Sequence, residues 1–314
     1  MKHSASALYS SAHGKFIVTG EHAVMYGAPC LVYPLTSASL ELSIQVASSL
    51  SVRWNGNTLS ASQEELIGKS LDQMQFRELI PEPFKKGFEL SVLSQIPIGS
   101  GLGSSAAFCV ALARLLPIEK EDVFTRALLG EHAFHGKPSG ADPAAVLAEA
   151  PIVFQKQGLS SSTSSLPNLS PAAKKFCWVL RDTKESHETL KVIENLKKLE
   201  AQTHREFIEA LSTQSQRFVD SLQNFIGESA QIKEAKATLE TISLVHEKMG
   251  LVNQTMRDCL KSLQLEGAIG TKLTGAGCGG YVIGLFDEKS MKTTYLPRKN
   301  DYVVTLSGDD VSRE

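Results

Sequence analysis

The chain of 314 residues has no excess of positive charge: 32 Lys and Arg stand against 34 Asp and Glu, a formal net charge of −2. That balance supplies no basic field to hold nucleic acid or anionic lipid. No apolar run approaches the length of a membrane span, and MKHSASALYSSAHGKF at the start holds no continuous apolar segment of signal-peptide length. The cysteines (Cys30, Cys109, Cys177, Cys259, Cys278) are odd in number, scattered and never spaced CxxC, which predicts reduced thiols in a cytoplasmic protein. The Walker signature GxxxxGK[ST] occurs nowhere. In GxGxxG spacing, Ala106 stands where a third glycine would follow Gly101 and Gly103, and no acidic residue follows a strand at the distance a ribose requires. HExxH and GxSxG are missing as well, which argues against zinc at Glu131, His132 and His135 and against acyl transfer through Ser104 or Ser105.

What is present is an ordinary globular composition, 42% hydrophobic and 21% charged, long enough for two domains, or one large one, with a real core. Strands are predicted at 16–19, 40–46, 50–54 and 88–96, with 50–54 pairing with 40–46 and Asn55-Gly56 forming the next turn. Helices are predicted over about 104–116 and 119–135, followed by a strand at 151–155. The tract GLSSSTSSLPNLSP (158–171) has no periodicity and reads as a loop or domain connection. A short buried strand opens 174–183, helical patterning fills about 187–263, and strands return at 270–274, 281–286 and 302–307. The order predicts an α/β half over 1–165 and an α+β half over 166–314, with the boundary near the serine tract.

Three glycine-bearing segments stand out. PIGSGLGSSAA (97–107) feeds small residues into an apolar helix. Unpaired backbone N–H groups at a helix N-terminus favour an anion, and glycine lets it approach closely. A tight strand-to-helix turn with a serine cap from Ser104 or Ser105 is the simpler explanation of this segment alone. KLTGAGCGG (272–280) lies between two strand-like runs and alone reads equally as a wide hairpin turn. HGKFIVTGEHAVMYGAP (13–29) gathers Lys15, Glu21 and His22 around a strand, and alone reads equally as a solvated turn. Three such loops in one near-neutral chain are hard to explain as ordinary turns.

GKFIVTGEHAVMYG (14–27), PIGSGLGSSAA and KLTGAGCGG together resemble the motifs of the GHMP small-molecule kinases, in the family's order. GEHAVMYG and GEHAFHGKPSGADPAAV (130–146) are similar to the mevalonate kinases within that family. Cys278 interrupts a run that is usually all glycine, and His13 stands where a proline is usual. The resemblance implies a two-domain GHMP-kinase fold: an N-terminal α/β domain with the glycine-rich phosphate loop and a ferredoxin-like α+β C-terminal domain. It implies ATP and Mg²⁺ as cofactors and a small-molecule acceptor, mevalonate, with a homodimer left open. Gly99, Ser100, Gly101, Leu102, Gly103, Ser104 and Ser105 would grip the phosphates, and Ser105 with Glu131 would hold Mg²⁺. Asp142 would face the acceptor hydroxyl beside Lys15, whose charge keeps the carboxylate ionised. From the sequence alone, Asp142 also reads as the N-cap of PAAVLAEA. Glu21, His22, Thr189, Gly275, Ala276 and Gly277 would meet the acceptor, and Cys278 would be oxidation-sensitive if exposed. The alternatives are another GHMP kinase such as a phosphomevalonate kinase, or a binding protein on the same scaffold, which would be expected to have lost Lys15, Glu131 or Asp142.

Overall fold

The computed structural model describes residues 7–148, 150–158, 160–166, 170, 173–186, 192, 194–196, 198–223, 225–309 and 311. Its elements run β1 (Ala7–Thr19), β2 (Cys30–Val46), β3 (Ser51–Trp54), β4 (Asn57–Thr58), α1 (Ala61–Gln73), α2 (Phe76–Leu79), β5 (Phe88–Ser94), α3 (Ser104–Arg114), α4 (Asp122–His135) and α5 (Ala141–Leu147). They continue with β6 (Ile152–Gln157), β7 (Ser160–Ser165), β8 (Phe176–Asp182), α6 (Ala201–Gln223), α7 (Ser229–Lys248), α8 (Gln254–Leu265), β9 (Gly270–Leu273), β10 (Tyr281–Asp287), α9 (Glu288–Thr293) and β11 (Tyr302–Thr305). The chain divides into two compact units that are discontinuous in sequence. Unit one takes the chain up to Gly14, Ala38–Ile98 and Gly103–Leu147; unit two takes Lys15–Ser37, Gly99–Leu102 and everything from Ala148 onward. No helix among the described residues is long and apolar enough to cross a membrane.

In unit one the strand order is β4-β3-β5-β2. The sequence predicts β3 beside β2, but β5 lies between them, antiparallel to β2 and parallel to β3. The reason is the apolar face each strand offers. Phe88, Leu90 and Val92 of β5 are all buried, with Leu90 and Val92 opposite Ile44 and Leu42, whereas β3 buries only Val52. The Asn55-Gly56 turn forms as expected, with φ of 50° and 77°, and links β3 to β4. Helix α3 is buried from Ala106 to Ala113, so it is a core helix rather than an amphipathic one. Phe108 on it meets the rings of Trp54 and Phe134 at 5.7 and 6.2 Å between centroids. Gly130 of α4 is required by packing, because a Cβ there would lie 2.7 Å from Met74 Sδ and 3.0 Å from Cys109 Sγ.

In unit two, Cys30–Val32 of β2 pairs with β6, and β6 with β7, both antiparallel. Strand β7 corrects the reading of the serine tract as a loop. Its six side chains are all exposed, so its pairing rests on the main chain of β6, for which side-chain periodicity gives no signal. A second, antiparallel sheet has the order β11-β8-β10-β9. Val179, Val282 and Phe286 from this sheet share a core with Ile242 and Val245 of α7 and Leu260 and Leu263 of α8. Arg181 of β8 is wholly buried. Its Nη1 and Nη2 give paired hydrogen bonds of 2.6 and 2.9 Å to Glu266, Nη2 and Nε reach Asp301 at 2.8 and 3.3 Å, and Nη1 and Nη2 also reach Ser262 and the carbonyl of Leu296. The five cysteines are buried thiols outside any disulfide.

Candidate functional site

Within unit two the second glycine loop lies directly on the third. The Ser100 carbonyl accepts from Tyr281 N at 3.2 Å, and the Leu102 carbonyl accepts from Lys15 N at 2.9 Å. A Cβ on Gly275 would lie 3.1 Å from Gly101 Cα, and one on Gly280 would lie 2.4 Å from the Ser100 carbonyl oxygen. Both loops therefore need glycine for their mutual approach, besides any role toward an anion. Thr274 ties the third loop to β1, its hydroxyl donating to the Ile17 carbonyl and accepting from Ile17 N, both at 2.9 Å.

The first motif meets the third in the same unit. Lys15 is buried in β1, and Glu21, also buried, pairs with the buried ammonium of Lys272. Burial pushes the Glu21 carboxyl up and the Lys272 ammonium down, each toward its neutral form, and the partner's charge opposes both shifts. His22 has φ of 62°, and its Nε2–H donates to the Ala276 carbonyl at 3.0 Å. Its ring lies 6.2 Å from that of His246 on α7, at 69° between planes. Sequence reading passed over Lys272 and His246. The available signal was a lysine inside a fully buried four-residue strand, since lysine is rarely buried without a partner.

Cys278, the thiol expected to be sensitive if exposed, is 3% exposed and donates its backbone N–H to the Leu251 carbonyl at 2.7 Å. The stretch after β8 is tied to the third loop through Thr183, whose hydroxyl donates to the Gly280 carbonyl at 2.6 Å. Glu185 continues it, its carboxylate accepting from Asn253 and Thr255 at the start of α8. Thr189 lies outside the described residues.

Unit one carries the other predicted residues. Gly103, at φ of 80°, precedes α3 without a side-chain cap, so Ser104 and Ser105 enter the first turn instead of capping it. Ser105 Oγ is 3.0 Å from His135 Nε2, and the buried Glu131 has Oε2 3.9 Å from the same nitrogen, so Ser105 and Glu131 converge on one imidazole. Asp142 is the second residue of α5 and not its N-cap. The turn before it is set by Ser139 Oγ, which accepts from Ala141 N at 3.1 Å, and by the Gly140 carbonyl, which accepts from Ala144 N. Lys15 belongs to unit two and Asp142 to unit one. Among the described residues no three His, Cys, Asp or Glu side chains group as a metal site.

The family GHMP kinases N terminal domain matches residues 65–150, and the family GHMP kinases C terminal matches residues 195–293. The chain belongs to the GHMP kinases. It has the two-domain fold of that family, with mixed α+β content. Membership in a kinase family implies ATP as the phosphoryl donor. The mevalonate kinase of Thermococcus sibiricus is 28% identical over 313 aligned positions, covering 89% of each chain. The crystal structure of L. major mevalonate kinase in complex with R-mevalonate superposes with a TM-score of 0.68 at 21% identity, covering 91% of this chain and 90% of that one. Streptococcus pneumoniae phosphomevalonate kinase in complex with phosphomevalonate and AMPPNP gives 0.71 at 18% identity, covering 91% and 94%. Kinases named for different acceptors thus fit this GHMP kinase about equally, so the fold does not choose the acceptor.

Gly280→Ala is expected to weaken ATP binding in this GHMP kinase by about tenfold or more. The added methyl must move the Ser100 carbonyl, and a non-glycine residue at φ of 83° also costs roughly 1–2 kcal/mol. An ATP titration of the variant beside an unfolding curve checks it; unaltered ATP affinity in a folded variant would mean that the contact of Gly280 with the Ser100 carbonyl does not govern ATP binding.

Proposed function

We propose that this GHMP kinase transfers the γ-phosphoryl group of ATP to the 5-hydroxyl of mevalonate. The observation that carries the reading is the backbone packing of the loop at 99–102 on the loop at 274–280. The choice of mevalonate is supported by GEHAVMYG, by HGKPSGAD and by the relative named mevalonate kinase that aligns over most of both chains.

Phosphoryl transfer demands positioning and charge neutralisation more than covalent chemistry. Main-chain N–H groups of 99–105, ending in the first turn of α3, bind the phosphate oxygens. Asp142 orients the acceptor hydroxyl and takes its proton, and the Lys15 ammonium stabilises the negative charge left on that oxygen. His22, with Glu21, Ala276 and the neighbouring Gly275 and Gly277, lines the acceptor's polar end. Thr189 joins that side by its place in the motif.

A hydroxyl and a carboxylate, Ser105 and Glu131, are hard oxygen donors of the kind Mg²⁺ takes in pairs, its other ligands coming from water and phosphate. Bound there, Mg²⁺ supplies charge neutralisation at the phosphates. Glu131→Gln is expected to raise the Mg²⁺ concentration for half-maximal activity by about tenfold, a change of ~1.4 kcal/mol. Ser105→Ala should shift it the same way, and an unchanged Mg²⁺ titration in both variants would put the ion elsewhere. The function itself is tested by a coupled assay with ATP, Mg²⁺ and, separately, mevalonate, phosphomevalonate and galactose. Turnover of phosphomevalonate alone would replace the assignment.

A further inference from the structure

Ser105 and Glu131 share a neighbour to which the proposed mechanism gives no task. His135 is the last residue of α4 and stands four positions after Glu131, so the two side chains lie on one face of that helix. The first turn of α3 brings Ser105 against them. All three residues belong to unit one. Glu131 is buried, whereas the His135 side chain is 47% exposed. His135 Nε2 stands 3.0 Å from Ser105 Oγ, at hydrogen-bond distance, and 3.9 Å from Glu131 Oε2, beyond it. The bond of this nitrogen is therefore to the hydroxyl rather than to the carboxylate.

A serine hydroxyl has one proton and two lone pairs. If it is to meet a cation, its proton must turn away, and that proton then needs an acceptor. Ser105 does not spend its hydroxyl on capping α3, which starts from Gly103 without a side-chain cap. A bond from Ser105 O–H to His135 Nε2 leaves both lone pairs of Oγ for the cation and makes the oxygen a stronger donor, as partners behind a ligand generally do. The opposite sharing, an imidazole N–H donating to Oγ, would take up a lone pair and set a positive hydrogen beside the metal.

We infer that His135 is the positioning residue of Ser105: its Nε2 accepts the hydroxyl proton and so presents the Ser105 oxygen to the cation. The inference rests on the placement of Mg²⁺ at Ser105 and Glu131 proposed above. His135 acts through Ser105 and does not itself touch the ion.

The test is calorimetric ATP binding without acceptor, once with Mg²⁺ and once with EDTA, so that no turnover enters. The quantity read is the tightening of the ATP Kd by Mg²⁺, the coupling between the two ligands. His135→Leu keeps bulk and discards the acceptor nitrogen. It is expected to cut that tightening about tenfold, the usual loss when a group behind a metal ligand is removed, with the Kd in EDTA within about twofold of the parent. His135→Gln places an amide oxygen near the position of Nε2 and should hold the tightening within about threefold. Added to Ser105→Ala, His135→Leu should change it by less than about twofold, because the histidine works only through that hydroxyl. A purely structural tie between α3 and α4 would lower the unfolding midpoint of the leucine variant and leave the Mg²⁺ effect at the parental level. Parental tightening in His135→Leu, a tenfold loss in His135→Gln, or a further tenfold loss in the double variant overturns the inference while leaving the ion in place. Tightening that survives both Ser105→Ala and Glu131→Gln defeats the placement of the ion, and the inference with it.

Discussion

Asp142→Asn is expected to lower kcat with mevalonate by roughly 10³-fold while leaving ATP affinity unaltered, because a positioned proton acceptor contributes about 10²–10⁴ to rate. The amide keeps the shape and hydrogen-bonding reach of the carboxylate but takes no proton and carries no charge. Asp142 lies in the first turn of α5, where the helix dipole favours an anion, and the turn before it is held by Ser139 and Gly140. An unfolding curve of the variant separates a loss of fold from a loss of the chemical step. Steady-state kinetics beside calorimetric ATP binding checks it. Turnover within about threefold of the parent would remove Asp142 from the chemical step and leave it as a helix-start residue.

The sequence made most of the elements legible because their signals are local. Strand β8 and helix α3 are read from continuous apolar runs, and the hairpin at Asn55-Gly56 from two residues that tolerate positive φ. Helix α1 was equally local yet passed unread: Ser60 and Gln63 form a capping box, each side chain bonded to the other's backbone N–H. The insertion of β5 between β2 and β3 is a non-local choice, since strands next to each other in sequence had first claim to pair.

The site divides along the same line. Lys15, Glu21, His22 and the glycines were visible because their spacing is a motif. Lys272 and His246 were not, because what distinguishes them is the company they keep: Lys272 meets Glu21 across 251 positions, and His246 meets the ring of His22. The glycines also do more than their motif suggested, since the loops at 99–102 and 274–280 hold each other by backbone contact that a Cβ at Gly280 would block.

The buried charge network of unit two gives the largest stability effect. Arg181→Met is expected to destabilise the chain by about 3–5 kcal/mol near pH 7, the usual cost of removing one partner from a buried ion pair. The guanidinium joins β8 to Glu266, just past α8, and to Asp301, just before β11, so its loss takes from two buried carboxylates the cation they share. The sign of the pH dependence follows from Glu266. Burial works against its ionisation, but hydrogen bonds from Arg181, Ser262 and the Leu296 backbone outweigh it and hold the carboxyl below its ordinary value. In the parent that stabilisation is complete above the ordinary carboxylate range and is lost as pH falls through the depressed value. In the variant the burial penalty stays while the Arg181 hydrogen bond and charge that oppose it are gone, so the carboxyl rises relative to the parent and protonation relieves the unpaired charge. The difference in unfolding midpoint between parent and variant should therefore be widest near pH 7 and narrow toward about pH 5. Unfolding curves at both values check this. Adding Glu266→Leu and Asp301→Leu should recover much of the loss, because an apolar replacement of the whole network leaves no buried charge without its partner.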